Sequence, residues 1–139
     1  MDIRQASTRV TIMAAAAVVT AVTWVAARDT GTFEAQQLPD GVTSAMVSAG
    51  AELFSGDALC HACHGVDGTG VANLGADLTD TEWKHIDGSY TEIVDIITEG
   101  VAAEASTSGI PMPPRAGANL SDAQVRDVAA YVWTLSLTQ

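Results

Sequence analysis

The sequence has 139 residues, 47% of them hydrophobic but only 5% aromatic, and a formal net charge of −11. That length fits one domain with an appendage, and so few aromatic side chains build a modest core that a bulky apolar group would complete. Apart from Asp2, the acids run from Asp29 to Asp127, which excludes nucleic acid as a partner because its phosphates would be repelled. The same charge permits steering toward basic protein partners, with solubility alone as the plainer alternative.

Residues 1–9 carry Arg4 and Arg9 against one acid, and residues 10–27 (VTIMAAAAVVTAVTWVAA) carry no charge before Arg28 and Asp29 close the run. A basic start followed by an apolar stretch predicts an export segment over 1–27. The positive end stays in the cytoplasm, which places the remainder on the periplasmic side of the cytoplasmic membrane. Cleavage after Ala27 would release a soluble periplasmic protein. An uncleaved anchor would use the length, since the run spans about 27 Å as a helix, close to a bilayer core. The length favours the anchor. Residues 28–43, with Gly31, Pro39 and Gly41, read as a linker, and residues 44–139 as the domain proper.

Four helices are expected in that domain. The first covers roughly 44–55, with Met46, Ala49 and Leu53 (or Ala45, Ala49 and Leu53) spaced along one face and Gly56 ending it. A short one is expected near 80–86, begun by Thr79 and Glu82 in capping-box spacing. The third, 90–99, begins with Ser89 and Glu92, lines up Ile93, Ile96 and Ile97, and ends at Gly100. The last, 122–136, has Ser121 and Gln124 as its box and Leu120 and Val125 at the staple positions. Its buried stripe runs through Val125, Val128, Ala129, Val132 and Leu135. No stretch alternates as a strand does, so the fold class is all-α. The irregular segments 64–79 and 101–120 are long enough to suggest that they wrap around a cofactor.

The two cysteines stand in Cys60-His61-Ala62-Cys63-His64. Cys-x-x-Cys-His is the attachment spacing of c-type heme. Two intervening residues let the backbone turn so that both thiols meet the two vinyl groups, and the next residue aims an imidazole at the iron, a good ligand in both oxidation states. A redox dithiol would call for a strand-helix context that is missing here. A zinc site built from Cys60, Cys63, His64 and His85 is the other alternative. With one pair of cysteines, one covalent heme is expected.

The second axial ligand comes from Met46, Met112, His61 or His85. Met112 lies in Gly109-Ile110-Pro111-Met112-Pro113-Pro114, where prolines stiffen a loop suited to hold a thioether against iron. His61 is confined to the attachment turn, Met46 belongs to the apolar face of the first helix, and His85 is the runner-up, giving a bis-histidine heme.

These residues resemble the class I cytochrome c family over about residues 44–137. Gly50-Ala51-Glu52-Leu53-Phe54 is similar to the family's first helix. Cys63-His64-Gly65-Val66-Asp67-Gly68-Thr69-Gly70 is similar to its heme run, and Asp127 to Trp133 to its aromatic-bearing last helix. Asp77-Leu78-Thr79-Asp80 with Trp83 and Gly88-Ser89 resembles heme c domains in subunits of bacterial terminal oxidases. The resemblance implies that the first and last helices cross near Gly50 with Phe54 and Tyr131 at the crossing. It also implies Met112 as axial partner of His64, and Ala76 at the position whose carbonyl receives the heme histidine's N–H.

The expected function is a single-electron carrier in a bacterial respiratory or photosynthetic chain, with redox-protein partners, membrane contact through the N-terminal segment and no small-molecule substrate. With both axial positions filled, it would transfer electrons rather than act as an enzyme. A tethered subunit of an oxidase or dehydrogenase is the alternative. A gas- or peroxide-binding heme protein is a third reading, disfavoured because four-helix cytochromes of that kind carry the motif near the C-terminus.

Overall fold

Three side chains start the three long helices. Thr43 Oγ1 accepts the Met46 N–H at 3.3 Å and opens α1, Ser44–Ser55. Ser89 Oγ accepts the Glu92 N–H at 3.4 Å and opens α3, Tyr90–Glu99. Ser121 Oγ accepts the Gln124 N–H at 3.3 Å while Gln124 Oε1 accepts the Ser121 N–H at 3.0 Å, a complete capping box on α4, Asp122–Leu135. Each such cap is worth about 1 kcal/mol. Between α1 and α3 lies a single turn of helix, α2, His61–His64, formed by the attachment motif itself. This architecture comes from a computed structural model that describes residues 37–137. The expected export segment and most of the linker lie outside the described residues. Among those described, the fold is all-α, with two isolated bridges and no strand, and no helix is long and apolar enough to cross a membrane.

The expected helix at 80–86 is absent. Asp77 Oδ1 accepts the Thr79 N–H at 2.7 Å and its hydroxyl at 2.6 Å, and Asp80 Oδ1 accepts the Glu82 N–H at 2.8 Å. Short carboxylate side chains thus bond the backbone two residues on, and that local closure competes with a helical turn. The Thr79 donors hold the Asp77 carboxyl below its ordinary range. Trp83 in this segment lies against Gly88, where a Cβ would strike the indole ring.

α1 crosses α4 at Gly50, the point where only a glycine lets the backbones meet. A Cβ there would run into the carbonyl of Asp127. Beside it Phe54 and Tyr131 pack edge to face, with ring centroids 5.3 Å apart at 67°. The crossing sets which face of α1 is buried: Gly50 and Phe54 are inside, whereas Ala45, expected on the apolar stripe, is exposed. α3 packs on α4, and Tyr90 Oη donates to the Arg126 carbonyl at 3.2 Å. The core joins Phe54 and Ala58 to Ile93, Ile97, Leu120, Val125, Val128, Ala129 and Val132. Leu120 and Val125, the two staple positions, are both buried. On α4 Ala130 is buried as well, and Leu135, expected in the stripe, is half-buried.

The two long irregular segments are closed by backbone bonds. Val71 and Gly75 pair in one bridge. Val101 and Met112 pair in the other, through Val101 N–H to Met112 O at 2.8 Å and Met112 N–H to Val101 O at 2.9 Å. Gly100, at φ +75°, ends α3 immediately before this bridge, where a Cβ would strike the Met112 carbonyl. Ser108 Oγ donates to the Leu74 carbonyl at 3.2 Å and ties the two segments together. Beyond Met112, residues Pro114–Gly117 form a 3-10 turn against α3. Arg115 and Ala116 in that turn have φ of 52° and 56°, left-handed conformations that cost about 1–2 kcal/mol each in residues with a Cβ.

Candidate heme site

The packing of α3 and α4 under the two closed loops leaves a cavity of about 720 Å³, within the roughly 300–1,000 Å³ range of cofactor pockets. Ile93 and Ile97 from α3, Val128 and Val132 from α4, and Phe54 and Trp83 give it apolar walls. Cys60, Cys63, His64, His85 and Met112 all line it; Met46 and His61 do not. Leu59, Val71 and Ile110, three exposed large apolar residues, line the cavity too.

His64 is oriented by the chain. Its Nδ1 lies 2.8 Å from the carbonyl oxygen of Ala76. A carbonyl only accepts, so Nδ1 carries the proton and donates it, and Nε2 keeps its lone pair for a metal. Ala76 therefore does what the resemblance assigned to that position, because the bond uses main-chain oxygen and needs no particular side chain. The heme run doubles back beside it: Gly70 N–H donates to the His64 carbonyl at 2.7 Å and Leu78 N–H to the Gly68 carbonyl at 2.7 Å. His61 Nδ1 lies 3.2 Å from the Phe54 carbonyl at the end of α1; it secures the attachment turn to α1, a bond its spacing in the sequence did not announce.

No disulfide joins Cys60 and Cys63. Burial pushes the Cys60 thiol up to about 11, with Cys63 adding to the rise and a backbone hydrogen bond opposing it. A redox dithiol works through a depressed thiol pKa, so this environment runs against that reading. Among the described residues no group of three or more His, Cys, Asp or Glu that could hold a metal ion is found. Two thiols, an imidazole with a free Nε2 and a thioether on one apolar cavity fit a heme bound through its edge and its iron.

His85 is exposed at the cavity. Met112 is half-buried and packs against the core cluster. Sequence reading passed over Arg115, whose guanidinium donates to the Leu120 carbonyl at 2.8 Å and to Asp122 Oδ1 at 2.6 Å. The only available signal was an acid seven positions ahead on the next helix.

A helical fold in which Gly50 seats the first helix on the last, with the attachment motif facing an apolar cavity, defines a c-type cytochrome. The chain belongs to the cytochrome c family, whose model matches residues 47–136, and it is a heme c electron-transfer protein. It is similar to Cbb3-type cytochrome c oxidase subunit CcoP of Cereibacter sphaeroides, 33% identical over 90 residues that make up 64% of this chain and 27% of that protein. The same subunit of Rubrivivax gelatinosus is 34% identical over 90 residues, 65% of this chain and 26% of that one. That of Rhodobacter capsulatus is 34% identical over 94 residues, 66% and 30%. The matched region thus spans less than a third of the length of each relative. No solved structure matches the chain significantly.

Proposed function

We propose that this chain carries a single heme c, joined by thioethers to Cys60 and Cys63, with His64 and Met112 as the axial ligands of its iron. The observation that carries the reading is the 2.8 Å bond from His64 Nδ1 to Ala76 O, which presents Nε2 to the cavity that the two cysteines and Met112 line. When bound, the heme supplies a one-electron iron couple. Cys60 and Cys63 would hold the heme by thioethers, each thiol adding its sulfur to one carbon of a vinyl group and its hydrogen to the other. His64 and Met112 would ligate the iron and leave it without an open position for a substrate. The apolar walls from α3 and α4 exclude water and tune the couple through burial. On a denaturing gel stained for heme, colour will stay with the polypeptide, and replacing both cysteines with alanine will remove it. Complete extraction of the heme by acidified organic solvent from the unaltered protein would defeat the reading.

The charged start and apolar run of residues 1–27 support a location on the periplasmic side of the cytoplasmic membrane, with residues 28–43 as tether if the segment is retained. The similarity to oxidase subunits supports delivery of electrons to a terminal oxidase, either as a tethered subunit or as a mobile carrier. Copurification with an oxidase from detergent extracts separates the two. Residues 28–139 hold 16 acids against four Lys and Arg, so the partner surface is expected to be basic. Transfer to that partner will slow as salt is raised, because the screening length falls to about 8 Å at physiological ionic strength. Stopped-flow rates that do not change with ionic strength would reduce the charge to a solubility device.

A further inference from the structure

Met112 is fixed at both its backbone groups by two bonds to Val101. On its C-terminal side come Pro113 and Pro114, which have no N–H to donate, and then the left-handed residues Arg115 and Ala116. This stretch rests against α3, and its tie to α4 is a side chain. Arg115 Nη1 donates to Leu120 O at 2.8 Å and Nη2 to Asp122 Oδ1 at 2.6 Å. Leu120 is buried in the core and Asp122 is the first residue of α4, the helix whose Val128 and Val132 line the cavity. The guanidinium therefore clips the loop that carries Met112 to the helix behind the site.

Two observations make this more than a surface ion pair. The arginine side chain is 29% exposed against 77% for Asp122, so the bond to the Leu120 carbonyl is the shielded one, and charge-assisted bonds with fixed fork geometry are the strong ones. Second, two successive left-handed residues with a Cβ persist only where their surroundings over-determine them. The clip supplies that constraint three residues past Met112.

We propose that Arg115 is a positioning residue for axial ligation, holding the Met112 loop so that the thioether stays on the iron. The inference rests on Met112 being the axial ligand. The test uses the heme-loaded protein and reads the sulfur–iron charge-transfer band of the oxidised form and carbon monoxide binding to the reduced form. Arg115→Ala will weaken the band and speed carbon monoxide binding by about tenfold, the scale of one lost hydrogen bond to a charged group. Arg115→Gly will do the same although it relieves the left-handed backbone, which separates the clip from the strain. Asp122→Asn, which keeps the Leu120 bond, will change both readouts in the same direction but less. If Arg115→Ala retains the band and the carbon monoxide rate of the parent while only melting earlier, Arg115 is merely structural and the proposal falls. If Arg115→Ala yields no heme-loaded protein, Arg115→Lys and Asp122→Asn decide, and parental values in both overturn it. A parent protein without the band would instead overturn Met112 as ligand.

Discussion

Met112→Ala will abolish the sulfur–iron charge-transfer band of the oxidised protein and open the reduced protein to carbon monoxide. The expectation follows from where Met112 sits. It lines the cavity shared with His64, Cys60 and Cys63, and both its backbone groups are engaged by Val101, so the loop that carries it is held by bonds the substitution does not touch. Gly100 and the Val101 bridge will survive, as will the buried cluster of Phe54, Ile93, Val125 and Val128, and helical content will stay near that of the parent. Methionine ligation raises the potential of a heme relative to harder ligands. Met112→His is therefore the sharper variant: it will remain six-coordinate while its potential falls, measured by redox titration. The rival outcome is specific. If Met112→Ala keeps the band and His85→Ala destroys six-coordination, the exposed His85 is the ligand and the heme is bis-histidine.

Gly50→Ala will destabilise the protein by about 3 kcal/mol, at the upper end of overpacking costs. In an ordinary helix interior the same change gains about 1 kcal/mol through propensity, so the sign itself is diagnostic. At Gly50 the added carbon runs into the carbonyl of Asp127, with its carbonyl carbon at 2.6 Å and Tyr131 Cβ at 2.9 Å. The obstacle is helix backbone, which cannot rotate aside as a long side chain would. Relief requires α1 and α4 to part, and that would also separate Phe54 from Tyr131. Guanidinium unfolding of the heme-loaded protein measures the change, with carbon monoxide binding as a check on the site. A neutral or stabilised Gly50→Ala would mean that the helices do not cross in contact at this residue.

What the sequence determined alone was whatever depends on neighbours in the chain. Thr43, Ser89 and Ser121 lie three residues from the N–H groups they accept, so the starts of α1, α3 and α4 are local events. The heme motif is legible for the same reason, since two thiols and an imidazole must fall within five residues to reach one porphyrin edge and its iron. Where two local signals competed, pattern failed: Thr79 and Glu82 have capping-box spacing, yet the carboxylates of Asp77 and Asp80 close tighter turns and no helix forms at 80–86. The tertiary structure decided the rest. The resemblance had already placed Gly50 and Phe54 at the crossing, but the packing left Ala45 outside, because the carbonyl of Asp127 must pass close to α1 at Gly50. The bond of His64 to Ala76 was likewise already implied by the family resemblance. The tertiary structure paired Val101 with Met112, joined Ser108 to Leu74, and closed Arg115 onto Leu120 and Asp122. These bonds join loop residues whose meeting depends on how the chain closes over the core, and the burial that drives that closure has no direction along the chain, so no spacing rule in the sequence encodes them.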